Sequence, residues 1–460
     1  MAALDPSTRD ELEAFVTEWL SDHRIPGAAV SVVDADETLY AEGFGARNLE
    51  QNTPATENTL FGIGSSTKSF TAIAIMQLAE AGELAVEDPV GDYIPHLDDV
   101  AGDPITIREL LTHTSGMPSD GSAGPLITRP LGVGHVEVPL SSDEDFRRHV
   151  KGSADRRVTD RETFFYYNSG YTMLGKIVEA VSGKPYDEYV EDEILATVGM
   201  ERSTFDREAF ESDDDHMTPY IKQEENSTQS DFPFDSLIHA PGGMVSSALE
   251  MGDYVQMYMN GGEAAGGSVL SADSLDEMTT PVSTFGEYID GTEAGYGYGL
   301  MVEEFLDDTL VGHGGSIAVS TSWFGYLEDA ELGVAISCTT SPEAHPMVVG
   351  PAILAILQGE DPVEIVPHFE LVEALEEVTG EYTSYRDIGT AEVERDGGTL
   401  KFTQQAGTGG QELHLVPDTL EDDLLVCTAY LSMGMRHPVR FELDGDDVTC
   451  FFERSRFTKA

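Results

Sequence analysis

Positive charge is what this 460-residue chain has least of: of its 25 basic residues only 7 are lysine, set against 85 aspartates and glutamates, for a net charge of -60. A chain so poor in cations has no basic patch with which to neutralise phosphates, which excludes nucleic acid as a partner. The acid is spread along the chain and not gathered in a tail, so it is not an acidic interaction arm. Such a surface repels itself in dilute buffer and becomes tolerable where molar salt shortens the Debye length to about 3 Å. The composition therefore predicts a halophilic protein.

Cysteine is nearly absent as well. Cys338, Cys427 and Cys450 form neither an even disulfide framework nor a metal spacing, which fits a reducing, cytoplasmic setting. No apolar run approaches the roughly 18 residues of a membrane helix. Thr71 to Ala79 is too short, so no membrane association is expected. Residues 1–25 read as a polar amphipathic helix with Leu12, Phe15, Val16 and Leu20 on one face, and not as a signal peptide. His113 and His239 lack a third ligand at metal spacing, and no cofactor motif is present.

What is present is enough apolar residue, 40% of the chain, for real cores. The length calls for more than one folded unit. A hairpin is expected from Gly27 to Val33 and Thr38 to Gly45, and a helix buried on all sides from Ser65 to Ala79. Thr106-Ile107-Arg108-Glu109 has the form of a capping box. Asp120 to Asp143 is rich in Gly, Pro and Ser and reads as a lid or binding loop. The aromatic run Phe164 to Tyr167 leads into Asn168-Ser169-Gly170, after which Met173, Leu174, Ile177 and Val178 show helical spacing that Ser182-Gly183-Lys184-Pro185 stops, and Asp206 to Asp235 reads as an acidic surface excursion. After the turn Ala240-Pro241-Gly242-Gly243 a helix spans Ser247 to Met259, and Asn260 of Tyr258-Met259-Asn260 reads as its C-cap. Strands are expected at Tyr298 to Glu303, Ile317 to Leu327 and Leu332 to Cys338, with a closing helix at Pro346 to Leu357. Gln358 to Pro367 reads as a linker and Leu371 to Val378 as a short helical piece, after which the pattern changes to six short alternating runs from Ala391 to Glu453, with hairpin turns at Asp396-Gly397-Gly398 and Asp444-Gly445-Asp446.

Three motifs carry chemistry. Ser65-x-x-Lys68 places a hydroxyl and an amine one helical turn apart on one face. Taken by itself it reads first as a helix-capping serine with a solvated lysine. Tyr166-Tyr167-Asn168 and His313-Gly314-Gly315 come second and third, the last just ahead of a strand at a sheet edge. A serine hydroxyl is a weak nucleophile near neutrality and needs a base within reach; Lys68 serves only if burial or a neighbouring cation lowers its pKa.

In this order the motifs resemble those of the serine beta-lactamase and penicillin-binding-protein superfamily, closest to its class C-like or CubicO branch, in which Tyr-x-Asn takes the second place. Thr106 to Gly116, Asn168-Ser169-Gly170-Tyr171 and Ala240 to Ser247 are similar to that branch too, over roughly residues 8 to 358. The resemblance implies an α/β beta-lactamase/transpeptidase-like fold, an antiparallel sheet flanked by helices plus a helical subdomain, over 1–358, with the subdomain at roughly 61–290. A linker at 359–375 and a small all-β lipocalin-like barrel at 376–460 would follow, as in some archaeal CubicO-type serine peptidases. The barrel either gates the site or assembles a homo-oligomer.

The resemblance also implies roles. Ser65 is the nucleophile; Tyr166, opposite Lys68, takes its proton during acylation and activates water afterwards. Asn168 orients Lys68 and contacts a substrate amide, and the backbone N–H groups of Ser65 and Ser316 form an oxyanion hole. Gly314 and Gly315 let substrate approach the strand. His313 stands where antibiotic-hydrolysing members carry a lysine, which weighs against beta-lactams and resembles the D-aminopeptidases. The expected activity is that of a metal-independent serine peptidase acting on small peptides. The alternatives are a carboxylesterase and a non-catalytic peptide-binding or assembly-forming member of the fold.

Overall fold

The computed structural model describes residues 4–94, 103–118, 122–133, 138–154, 156–158, 163–223, 226–406, 409–421, 423–445 and 447–460. The chain divides into two units, Met1–Gly286 with Glu293–Gly359, and Glu287–Thr292 with Glu360–Ala460.

The first unit is built on a nine-stranded sheet. At its middle Gly27–Asp34 pairs antiparallel with Leu332–Thr339, Ala28 opposite Cys338 and Asp34 opposite Leu332, which joins the beginning of the unit to its end. Thr38–Asn48 and Thr53–Pro54 extend the sheet on one side; Ser320–Leu327, Asp308–Ser316, Met301–Phe305, Glu293–Tyr296 and Ser283–Glu287 extend it on the other. Strands buried on both faces read as near-continuous apolar runs, as Gly27–Asp34 does; Ser320–Leu327 is buried throughout as well, although it opens on Ser320, Thr321 and Ser322. Ser31 and Val33 face the helix Ala248–Met259, whose Gly252 could carry no side chain without touching both. Trp323, on the opposite face, packs beneath Gly350 of the helix Pro346–Gln358. The N-terminal helix Pro6–His23 buries Leu12, Val16, Trp19 and Leu20, with Trp19 in the place expected of Phe15.

Between Pro54 and Ser283 lies the helical region, and its axis is Thr67–Glu80. Every residue from Thr67 to Met76 is buried, as the pattern without a polar face predicts. The capping box on Ile107–Leu111 is formed in both directions by Thr106 and Glu109, and Asn260 is the C-cap of its helix. Two expectations change. Asp120, Gly121 and residues 134–137 of the expected lid lie outside the described residues, and the rest of that stretch includes the helix Ala123–Thr128. The stretch Asp206 to Asp235 is no mere surface excursion, because Phe210 and Phe232 are buried with ring centroids 5.2 Å apart.

The second unit is a closed barrel of eight consecutive antiparallel strands, Gly380–Ser384 through Ser455–Lys459. Alternation fills its interior: Ala391 and Val393 point inward, Glu392 and Glu394 outward. The first and last strands, absent from the expected set, close the ring by pairing Tyr382 with Lys459 and Ser384 with Phe457. They are short and carry few apolar residues, so alternation is hard to see in them. The segment expected as a linker is helical at Pro362–Ile365, and the helical piece expected at Leu371 to Val378 starts earlier, as Pro367–Glu377. Each of these helices opens on a proline, whose missing N–H costs nothing there. Leu375 and Val378 belong to the barrel core. All three cysteines are free and buried. Among the described residues no helix is long and apolar enough to cross a membrane.

Candidate active site

Ser65 sits in a single 3-10 turn, Gly64–Ser66, immediately before the helix Thr67–Glu80, and not at that helix's own first residue. The turn is fastened to the sheet. Ser66 donates to the carbonyl of His313 at 3.1 Å, and Ser322 donates to that of Ile63 at 2.7 Å. The approach is so close that only glycine fits. A Cβ on Gly64, whose φ is +51°, would lie 2.4 Å from the Ser316 nitrogen, and one on Gly315 would lie 1.8 Å from the Ile63 oxygen and 2.8 Å from the Ser65 nitrogen.

One turn on, Lys68 is fully buried with its Nζ 3.0 Å from Ser65 Oγ, 2.8 Å from Asn168 Oδ1 and 2.6 Å from the Pro241 carbonyl. Burial pushes its pKa well below the ordinary lysine value. The two carbonyl oxygens can only accept. A neutral amine gives one N–H to each and turns its lone pair toward the hydroxyl of Ser65.

Tyr166 reaches Ser65 from the other side, its hydroxyl hydrogen-bonded to the serine and its ring 4.8 Å from Lys68 Nζ. Burial raises its pKa, the bond to Ser65 opposing this in part, so the phenol stays protonated at rest. Asn168 is the first residue of the helix Asn168–Ser182, which puts its side chain back over the preceding turn. His113, with φ +57°, accepts from the Tyr167 nitrogen through Nδ1 at 3.0 Å and lies 4.4 Å from the Tyr166 ring. It packs behind the Tyr166 ring and fixes the backbone beside it. Among the described residues no group of three His, Cys, Asp or Glu is placed to hold a metal.

His313 lies inside the strand Asp308–Ser316, where the sequence suggested a turn ahead of a strand. That strand is interior to the sheet, yet its Met301–Phe305 partner stops opposite Gly312. On that side no strand among the described residues pairs with His313–Ser316, so this backbone is an open edge, while Phe324 to Thr321 pair with it on the other. The imidazole is buried and fixed. Nδ1 lies 2.6 Å from the Gly314 oxygen, and Nε2 lies 3.0 Å from the Tyr296 hydroxyl. A carbonyl oxygen can only accept, so Nδ1 carries the proton and Nε2 accepts from the phenol. Burial, then the nearby Lys68, pushes the ring's pKa down to about 3.

These groups line a cleft of about 370 Å³ with Ser65 and Tyr166 on one side and Gly314, Gly315 and Ser316 on the other. All seven site residues expected from sequence therefore meet in one place. Sequence reasoning missed Tyr296, His345 and the apolar rim of Phe164, Phe285, Met301 and Met347. His345 caps the helix Pro346–Gln358 by accepting from the Met347 nitrogen at 3.1 Å, and also bonds the backbone of Gly315. Its pKa falls to about 4 through burial. The dipeptide His345-Pro346 signals a helix start, and that signal was available.

An antiparallel sheet around a helical insert, with a Ser-x-x-Lys turn pressed against an open strand, defines the class of serine beta-lactamases and penicillin-binding proteins. Residues 11–358 match the Beta-lactamase family, and the chain belongs to it. Residues 362–458 match the Pab87 octamerisation domain. The structure of the octameric penicillin-binding protein homologue from Pyrococcus abyssi is similar along 98% of this chain and 100% of its own, with a TM-score of 0.88 and 35% identity. A class C beta-lactamase shares the fold at a TM-score of 0.62 and 18% identity, over 76% of this chain and 96% of its own. Protein flp of Staphylococcus aureus (strain MW2) is 29% identical over 216 residues, 46% of this chain. The chain spans 41% of the length of that curated relative, and 64% of the Putative penicillin-binding protein PbpX of Bacillus subtilis (strain 168), which it matches at 28% identity over 291 residues, 62% of this chain.

Proposed function

We propose that the protein is a serine hydrolase that forms an acyl-enzyme on Ser65 and acts on small peptides. The observation that carries this reading is the Lys68 amine: buried, without a carboxylate to hold its charge, and 3.0 Å from the serine hydroxyl. As Ser65 Oγ attacks the carbonyl carbon, its proton passes to Lys68 Nζ. Tyr166, protonated at rest, gives its proton to the leaving nitrogen and is reprotonated from Lys68. Water then attacks the acyl carbonyl, the Lys68–Tyr166 pair takes one of its protons, and the acid leaves with Ser65 restored. This gives Lys68 the first step that the family resemblance gives to Tyr166. The oxyanion would lie between the Ser65 and Ser316 nitrogens, where each donor is worth about 3 kcal/mol.

A peptide is favoured over an ester by the open edge at His313–Ser316, which offers an extended backbone a strand to pair with. The neutral His313 offers no charge to a substrate carboxylate, which weighs against beta-lactams. We further propose that the protein works folded in molar salt, and as a homo-oligomer assembled through its C-terminal unit, supported by the octamerisation-domain match and the octameric Pyrococcus homologue.

The test is intact-mass spectrometry at high salt after treatment with a fluorophosphonate. The wild type should gain one adduct at Ser65, and Ser65→Ala none; a label on another residue, or no label on a folded wild type, would sink the assignment. Competition between D-amino-acid peptides, short esters and beta-lactams then ranks the acyl donors.

A further inference from the structure

The cleft beside Ser65 is walled by apolar side chains that separate elements send to it. Phe164 lies just ahead of the helix Asn168–Ser182, Phe285 in the edge strand Ser283–Glu287, Met301 at the start of Met301–Phe305, and Met347 in the first turn of the helix Pro346–Gln358. The rings form one surface. Phe164 stands 5.8 Å from Phe285 and 5.4 Å from Tyr296, centroid to centroid. Phe285 remains 37% accessible on a strand that is itself largely exposed, so it fills no core. A single exposed apolar side chain needs no explanation, but a contiguous set around a cleft marks a binding surface. Met347 occupies the space beside Gly314, where a Cβ would lie 2.1 Å from its Cγ and 2.5 Å from its sulfur. At the open strand edge a thioether thus stands where the strand's own side chain would be, and a thioether adapts its shape and favours aromatic neighbours.

Charge is missing from this wall. In a chain with 85 acidic and 25 basic residues, none of the described residues that line the cleft is Asp, Glu, Lys or Arg. Its two histidines, His313 and His345, are held neutral near pH 7 by burial. An ammonium or carboxylate brought here leaves water and finds no opposite charge, which is costly. An apolar side chain gains by the same move. We propose that this site takes peptides with an uncharged aromatic or large apolar side chain beside the scissile bond and reads neither terminus, and that Phe285 and Met347 determine this specificity. The inference rests on the acyl-enzyme reading of Ser65, and narrows its substrates to interior or blocked stretches of peptide. The open edge at His313–Ser316 pairs with the substrate backbone whatever the sequence, so the choice among peptides falls to the apolar wall.

The experiment uses the full chain in molar potassium chloride, with Ser65 first titrated by a fluorophosphonate so that nucleophile and specificity are read apart. Blocked peptides of the form acetyl-Gly-X-Gly-amide, with X as Phe, Leu, Ala, Asp or Lys in either hand, are then compared by kcat/KM. The Phe peptide should exceed the Ala peptide by roughly 10- to 100-fold, and the Asp and Lys peptides by roughly 100-fold or more. Freeing either terminus of the Phe peptide should not raise its rate. Phe285→Ser/Met347→Ser should shrink the Phe-to-Ala ratio by roughly tenfold, whereas a merely structural loss lowers both substrates alike. If that variant fails to fold, Phe285→Arg, at an exposed position, decides, and should raise the Asp-to-Phe ratio by roughly tenfold. A folded enzyme that takes no label at Ser65 overturns the inference together with the reading it rests on. A labelled enzyme overturns the inference alone if it cleaves none of the peptides, cleaves the Asp or Lys peptide as fast as the Phe peptide, requires a free terminus, or keeps the wild-type ratio in the deciding variant.

Discussion

The hydroxyl of Tyr296 donates to Nε2 of His313 across 3.0 Å, while Nδ1 of the same ring donates to its neighbour's carbonyl at 2.6 Å. Both nitrogens are used: Nδ1 already carries its proton, and Nε2 cannot take one without losing the hydrogen bond it accepts from the phenol. The folded pKa of about 3 lies below the unfolded value of about 6.5. Between those values the unfolded chain binds more protons, so stability rises with pH across the window and is lost as pH falls through it. Denaturant unfolding at constant high salt should therefore show a slope from this residue of up to about 1.4 kcal/mol per pH unit. His313→Gln should flatten the profile by that amount, and an unchanged profile would refute the neutral, locked ring.

Lys68 must be neutral to receive the serine proton. On the reading above, kcat/KM rises with pH along a limb set by Lys68, well under the ordinary lysine range because burial lowers its pKa. Lys68→Met should fold normally and lose about 10²- to 10⁴-fold in acylation. Near-normal turnover by this variant would remove Lys68 from the mechanism.

Tyr166→Phe keeps the ring beside Lys68 and removes only the hydroxyl bonded to Ser65. Roughly 10²-fold or more should be lost from kcat/KM on amides. The loss on esters with good leaving groups should be smaller, because alkoxide departure needs less help from an acid. Equal losses on both substrates would count against Tyr166 as the donor to the leaving group.

Gly315→Ala tests the contact between strand and turn. Its Cβ would meet the backbone of the Ile63 to Ser65 turn, 1.8 Å from the Ile63 oxygen and 2.8 Å from the Ser65 nitrogen, and backbone cannot swing aside as a side chain can. Thermal unfolding should show a loss of about 1–3 kcal/mol or more, as for overpacking elsewhere. Labelling of Ser65 should fall with it, since the same shift separates Ser65 from Ser316. A stable, fully labelled variant would show that the strand can retreat.

The charge gives a prediction of its own. Circular dichroism during salt withdrawal should report unfolding below about molar concentration, where screening no longer contains the repulsion. Full stability at about 0.1 M salt would refute the halophilic reading.

Local signals made much of this molecule legible. The helix without a polar face, Thr71 to Ala79, could only be interior, and the capping box at Thr106 and the alternation after Ala391 each fix an element by a short-range rule. Other parts were hidden for stated reasons. His313-Gly314-Gly315 looked like a turn because glycine usually marks one, although in a strand it can mark a close backbone approach. Here glycine is required by another backbone 1.8 Å from where a Cβ on Gly315 would be. The helix at Pro362 and the start of the one at Pro367 were hidden in a stretch short and polar enough to pass for a linker, while the rest of the second was legible as the helical piece at Leu371 to Val378.

The sequence alone determined the type of each reactive group, the acidity of the surface and the order of the elements, since these follow from residue identity and local spacing. Tertiary structure decided what those groups can do. Nothing near Lys68 in sequence marks its amine as unusual; full burial, created only by the fold, is what pushes its pKa well below the ordinary lysine value. Nothing near His313 announces Tyr296, 17 residues away and on another strand, whose hydroxyl fixes the neutral ring. Ionisation depends on solvation and on neighbours in space, and both are created only when the chain closes on itself.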